Sequence, residues 1–132
     1  MTNPQPRRAA LAGLALLALA VGPARAEGDP GAGKTAFRKC TACHTLQAGR
    51  HRVGPSLAGV FGRVPGSAEG FRYSPAMTAF GATGATWDPA TVDAYLADPR
   101  GFIAGNRMVF PGLKDAGERA DLIAFLKLAG GE

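Results

Sequence analysis

The chain has few of the residues that usually hold a small domain together. Its only cysteines are Cys40 and Cys43, and its only histidines are His44 and His51. Two thiols allow at most one disulfide. A four-ligand structural zinc site would have to recruit His51 and carboxylates from elsewhere in the chain. No segment shows the sustained apolar–polar alternation of a strand, and there is no internal repeat. No dense basic stretch supplies the charged face that nucleic-acid binding needs. The one long apolar run, 9–21, is shorter than the ~20 residues of a membrane span.

That run is bounded in an informative way. Arg7 and Arg8 precede it; Gly22-Pro23 and the small-residue site Ala24-Arg25-Ala26 follow. A basic start, a short apolar core and an A-x-A end describe a secretory signal, here cleaved after Ala26 to release the mature chain into the periplasm. A retained N-terminal anchor is the alternative, against which the A-x-A site and the short core both argue. The expectation is therefore a signal over 1–26 and one domain over 27–132, with no stable membrane insertion after cleavage. Three of the 15 basic residues and none of the 10 acidic ones lie in the signal, so the net charge falls from +5 to +2. The basicity of the whole chain overstates that of the domain.

Three segments carry helical signals. The first is 32–40, after Asp29-Pro30, with Phe37 on its inward face. The second opens at Trp87-Asp88-Pro89, where Asp88 can cap and Pro89 suits the first turn. It runs through Leu96 and stops at Asp98-Pro99. In the third, Asp115 and Glu118 form a D-x-x-E capping pair, Leu122, Ile123, Phe125 and Leu126 recur at helical spacing, and Gly130-Gly131 ends it. Between the first two lies a Gly-, Pro- and Ser-rich stretch, 45–86, expected to be irregular. So long a loop is reasonable only if it wraps a ligand large enough to serve as core. The fold class is all-α with large loops.

The chemistry sits in Cys40-Thr41-Ala42-Cys43-His44. Two cysteines three residues apart lie on one side of a helical turn and can each take a haem vinyl group. His44 then offers the iron an imidazole nitrogen, the C-x-x-C-H pattern of covalent haem c. Export fits this reading, since the cofactor is joined outside the cytoplasm. A thioredoxin-like redox pair would need a strand–helix context that is missing here. A plain disulfide would explain neither His44 nor the missing core.

The sixth iron position decides what such a haem does. Once the signal leaves, Met77 and Met108 remain. A Met/His pair favours electron transfer over oxygen chemistry, although Met is more often core filler. Met108 lies in the irregular segment 105–112, which can fold back over the haem face opposite His44. Met77, among Ser74, Pro75 and Ala76, has less to recommend it.

Taken in order, many separate landmarks resemble class I cytochrome c, close to the mitochondrial cytochrome c and bacterial cytochrome c2 branch. They are Gly33-Lys34-Thr35-Ala36-Phe37, the CTACH run, the stretch from Gly54-Pro55 to Arg63, and Gly70-Phe71-Arg72-Tyr73. Trp87, Tyr95 to Pro99, the Met108 loop and the segment 112–126 complete the set. The resemblance implies the class I fold, with first and last helices crossing at Gly33, Phe37, Leu122 and Phe125. It implies one haem c on Cys40 and Cys43, and iron ligated by His44 and Met108. Pro55 is implied to accept a hydrogen bond from His44, Arg63, Tyr73 and Trp87 to face the haem propionates, and Tyr95 to approach the Met108 sulfur. His51 is implied to bridge loops. Three departures stand out: Asp98 replaces the family's Asn before Pro99, Arg107 its Lys before Met108, and Met77 falls where many relatives carry Asn.

The function this implies is one-electron transfer by a monomeric carrier that is not an enzyme. Expected donors are a quinol–cytochrome c oxidoreductase or a periplasmic dehydrogenase, and expected acceptors a terminal oxidase, a reaction centre or a peroxidase. They would dock on a basic haem edge of Lys39, Arg52, Arg100, Arg107 and Lys114. Two alternatives belong to other classes: a haem enzyme or gas sensor with an open sixth site, and a CxxC thiol–disulfide oxidoreductase.

Overall fold

Every helix among the described residues of the computed structural model starts at a side-chain cap. The described residues are 1–2 and 27–131, so the export signal expected at 1–26 lies almost wholly outside them. Helix α1 is Pro30–Phe37, α2 Pro75–Ala82, α3 Pro89–Ala97, α4 Pro99–Phe102 and α5 Ala116–Ala129. Asp29, Ser74, Asp88, Asp98 and Asp115 each accept from a backbone N–H in the first turn, at 2.7–3.1 Å. Proline opens α1 to α4, where its missing N–H costs no helical bond. Short helices of this kind are marginal alone, and the caps and prolines fix where each begins. No strand occurs among the described residues.

Three expectations need correction. The first helix ends at Phe37 rather than residue 40, and the chain continues through tighter turns: Lys39 N–H donates to Ala36 O at 3.1 Å and Cys40 N–H to Phe37 O at 2.8 Å. The stretch 45–86 is not all irregular, because Ser74-Pro75 starts α2 just as Asp88-Pro89 starts α3. The D-x-x-E pair at the start of α5 is only half made. Asp115 accepts from Glu118 N–H at 2.7 Å, but the Glu118 carboxylate turns instead to the ammonium of Lys39.

Helices α1 and α5 cross at Gly33. A Cβ there would lie 1.9 Å from the Asp121 carbonyl oxygen and 2.7 Å from Phe125 Cβ, so only glycine permits the approach. Phe37 and Phe125 pack with ring centroids 5.4 Å apart, and Leu122 beneath them is 1% exposed. Burying a side chain of that size stabilises the fold by ~1.5–3 kcal/mol. Asp121 also accepts from Asp29 N–H at 2.7 Å, tying the start of α1 to α5. This cluster of Ala36, Phe37, Leu113, Leu122 and Leu126 reaches Cys40. A second cluster, holding Met77, Trp87, Val92, Tyr95, Ile103 and Ile123, reaches Met108. Helix α5 serves both, through Leu122 and Leu126 on one side and Ile123 on the other.

Candidate functional site

The turn after α1 sets out the CTACH residues. Cys43 N–H and His44 N–H both donate to Cys40 O, at 3.1 and 2.9 Å, so both thiols and the imidazole belong to one tight turn. The two cysteines are half-buried and not joined to each other. Burial pushes the Cys40 thiol up to about 11, with Cys43 and Glu118 adding to the effect and Lys39 opposing it. A nucleophilic redox thiol needs the opposite shift. Among the described residues no three His, Cys, Asp or Glu side chains gather as a metal cluster. Two thiols and an imidazole on one turn suit covalent haem attachment, and the described residues bring too few further donors for structural zinc.

His44 is held from behind. Its Nδ1–H donates to Pro55 O at 2.7 Å, which fixes the tautomer and leaves Nε2 as a free acceptor. The turn carrying it is sewn to the same loop, since Gly54 N–H donates to Cys43 O at 2.8 Å. Gly54 lies against the ring itself: a Cβ there would meet His44 Cε1 at 2.3 Å. Burial lowers the proton affinity of the imidazole; the Pro55 bond opposes this and the charge of Arg63 adds to it. A neutral ring with Nε2 unprotonated is the form that can bind a metal.

On the other side, α3 presents Tyr95, whose hydroxyl lies 3.7 Å from Met108 Sδ and 3.3 Å from Asn106 Oδ1. Burial pushes Tyr95 up to about 12, so it remains a neutral phenol. Met108 is half-buried in an irregular segment beyond α4. Met77 instead lies within α2, 9% exposed, packed in the cluster with Trp87 and Tyr95. The rings of Trp87 and Tyr95 are 5.1 Å apart.

The remaining expected residues are partly brought together. Arg63 and Trp87 share a backbone pairing, Trp87 N–H to Arg63 O at 2.9 Å. The Arg63 guanidinium donates to Ser56 O and Ala58 O, at 3.0 and 3.3 Å. The Tyr73 hydroxyl accepts from Ala68 N–H at 3.2 Å. His51 accepts from Ser56 N–H at Nδ1 (3.0 Å) and donates from Nε2 to Glu69 O (2.8 Å), so both its nitrogens serve the loops.

The family model described as "Cytochrome c" matches residues 31–129. The chain belongs to the cytochrome c family. It is 51% identical over 92 residues to a cytochrome c2 iso-2 from Magnetospirillum fulvum, a match covering 70% of this chain and 93% of that one. Among solved structures, cytochrome c2 from Rhodospirillum centenum superposes with a TM-score of 0.74 at 38% identity, covering 79% of this chain and all of that one. Cytochrome cH from Methylobacterium extorquens does so with a TM-score of 0.69 at 42% identity, covering 76% and 99%. The fold is thus that of class I cytochrome c. As a cytochrome c the protein carries one haem c, covalently attached through Cys40 and Cys43, and it works in electron transport.

Within that frame the expected basic edge divides in two. Lys39 pairs with Glu118, the Arg52 guanidinium donates to Thr41 O and Lys114 Nζ to Ala97 O, both at 2.8 Å. Arg100 and Arg107 are exposed and take part in neither ion pair found among the described residues. No helix among the described residues is long and apolar enough to cross a membrane. Two residues given no role in the site from sequence, Gly54 behind His44 and Asn106 beside Met108, prove to touch it. Gly54 offered a signal, as the residue before the Pro55 acceptor; Asn106 offered only its place two residues before Met108.

Proposed function

We propose that this chain is a periplasmic one-electron carrier, exported by a signal cleaved after Ala26, in which His44 Nε2 and Met108 Sδ would hold the haem iron. The observation that carries the reading is the Tyr95 hydroxyl set on the Met108 sulfur at 3.7 Å, in a loop outside any helix. Haem bound in this way supplies a one-electron ferric/ferrous couple, and thioether ligation raises its potential. Pro55 holds the His44 ring so that Nε2 does not need to reorient between the two states. Tyr95 steadies the sulfur without competing as a base, because its proton is retained to high pH. Met77, enclosed on α2, serves as apolar packing. Arg63, Tyr73 and Trp87 lie on connected segments and are assigned to the haem propionates, whose charges would be costly to leave unpaired.

With His44 and Met108 both engaged on the iron, no open position would be left for a substrate, as suits a carrier rather than an enzyme. Its donor is a quinol–cytochrome c oxidoreductase or a periplasmic dehydrogenase, and its acceptor a terminal oxidase or reaction centre. These meet a monomer at an edge ringed by Lys39, Arg52, Arg100, Arg107 and Lys114, where one-sided charge steers encounter even though the domain's net charge is small. Arg52, Arg100, Arg107 and Lys114, none of which joins an ion pair among the described residues, carry most of that steering. An optical and redox titration of the periplasmically matured protein tests the proposal. A sulfur-to-iron charge-transfer band in the ferric spectrum, with no carbon monoxide binding by the ferrous form, is expected. Loss of the band together with ready carbon monoxide binding would point instead to an open-site haem enzyme or gas sensor.

A further inference from the structure

We infer that Asn106 is the positioning residue that holds Met108 in register for the iron, an inference that rests on Met108 being the axial ligand. Its side-chain oxygen accepts from Met108 N–H at 2.9 Å and from the Tyr95 hydroxyl at 3.3 Å. Its side-chain nitrogen donates to Pro99 O at 2.7 Å and to Ile103 O at 2.8 Å. One amide thus joins α3 through Tyr95, both ends of α4 through Pro99 and Ile103, and the Met108 backbone. The orientation of the amide is determined by its partners. Turning it over would aim NH2 at the Met108 N–H and oxygen at two carbonyls.

The consequence for the ligand is direct. The segment from Gly105 to Met108 lies outside every helix of the described residues: Gly105 takes a positive φ of 88° and Asn106 N–H closes a turn on Ile103 O at 3.1 Å, so beyond that turn few polar contacts besides the Asn106 side chain tie Met108 to α3 and α4. Ile103 is 5% exposed and Pro99 is fully buried, so the two carbonyls that Asn106 grips belong to rigid core. Tyr95 divides its hydroxyl between the amide oxygen and the Met108 sulfur, so the amide also limits where the phenol can lie. Releasing Asn106 frees the ligand loop while leaving the α1–α5 crossing untouched. The residue therefore acts through Met108 and Tyr95, without itself touching the iron.

The test compares haem-loaded wild type with Asn106→Ala, Asn106→Ser and Asp115→Ala. The last removes the α5 cap, a bond to Glu118 N–H that involves none of the Asn106 partners, and controls for general loss of stability. Imidazole affinity of the ferric protein reads how readily Met108 leaves. It is expected to rise roughly ten-fold or more in Asn106→Ala, from the loss of hydrogen bonds that each contribute several-fold. The sulfur-to-iron band should weaken, and the Met108 amide should exchange its hydrogen roughly ten-fold faster. Serine can still accept from the N–H two residues on, so Asn106→Ser should keep the Met108 amide protected while imidazole affinity rises by a smaller factor. Asp115→Ala should change imidazole affinity less than two-fold. The inference is overturned if Asn106→Ala stays within two-fold of wild type, or if Asp115→Ala raises the affinity equally. Should the alanine variant fail to mature, an unchanged imidazole affinity in Asn106→Ser overturns it. A wild-type protein lacking the sulfur-to-iron band defeats the His/Met reading itself, whereas a wild-type band unaffected by either Asn106 variant defeats only this inference.

Discussion

Replacing Gly54 by alanine would place one methyl group against the imidazole that faces the iron. The Cβ would lie 2.3 Å from His44 Cε1, 2.7 Å from Nδ1 and 2.8 Å from Nε2, so it meets the whole ring edge rather than a flexible tip. The ring cannot rotate away while Nδ1–H stays on Pro55 O at 2.7 Å. Either that bond breaks or the loop from Gly54 to Pro55 moves off the His44 turn. Overpacking of this kind costs ~1–3 kcal/mol and the lost hydrogen bond ~1 kcal/mol, together a sizeable part of the ~5–15 kcal/mol of a whole domain. The backbone at Gly54 lies outside the left-handed region, so the cost comes from contact and not from strain. Gly49→Ala supplies the opposite case. Gly49 has φ 70° with nothing within 4 Å of a new Cβ, and left-handed strain alone should cost ~1–2 kcal/mol there. Guanidinium unfolding of the haem-loaded proteins, followed by the single Trp87, gives both energies, and proton resonances of His44 report its position. Gly54→Ala should cost more than Gly49→Ala and shift the His44 resonances, whereas Gly49→Ala leaves them in place. Equal costs with unmoved His44 resonances would refute the argument.

Tyr95→Phe tests the buried phenol. The unfolded chain loses this proton near the ordinary value of 10.0, while burial keeps it in the folded state up to about 12. Its contribution to stability is therefore complete below pH 10 and is lost as pH rises through 12, a change of about 2–3 kcal/mol. The phenylalanine variant should lose less stability than wild type between pH 10 and 12, and parallel curves would disprove this. Gly33→Ala drives a methyl group into the Asp121 carbonyl and must lift α1 from α5, with a fall in thermal midpoint of more than about 10 °C expected from a loss of about 3 kcal/mol; a midpoint within 2–3 °C of wild type, on the same scale, would show that the crossing is loose. Reversing Arg100 and Arg107 to Glu should slow reduction or oxidation by an acidic partner and flatten its dependence on salt, and a rate indifferent to both changes would remove these residues from the docking edge.

The features legible in the sequence were those set by local chemistry. Asp88-Pro89 and Asp115 mark helix starts because an acceptor before a proline or an apolar periodic run satisfies first-turn N–H groups. CTACH shows itself because two thiols and an imidazole must share a turn. Helix α2 does not stand out in the sequence, although Ser74-Pro75 is the same kind of start signal, because its residues Pro75–Ala82 are mostly small and form no apolar stripe against the surrounding loop. The reach of Glu118 to Lys39 instead of its own helix start depends on where α1 ends, a tertiary fact. Asn106 was illegible for the same reason: four partners spread over residues 95–108 converge on it only after α3 and α4 have turned.

Those four partners clarify why so short a chain tolerates so much loop. The segment that carries Met108 and the segment that carries His51 have almost no regular backbone pairing, yet each is held by one polar side chain with all its principal donors and acceptors engaged. Asn106 spends two acceptor and two donor contacts on its segment. His51 bridges Ser56 and Glu69 with both ring nitrogens, and Phe71 packs on it edge-on at 5.5 Å. A half-satisfied anchor of this kind would be worse than none, since the unpaired amide or imidazole would carry its full desolvation cost. It follows that His51→Leu should unfasten the loop over 51–69 by about 2 kcal/mol, because it strands the buried Ser56 N–H and removes the exposed bond to Glu69 O. His51→Gln, which can still accept at one end or donate at the other, should recover part of that loss. If leucine and glutamine proved equally costly in denaturant unfolding, the loops would be held by the cofactor and the apolar clusters alone.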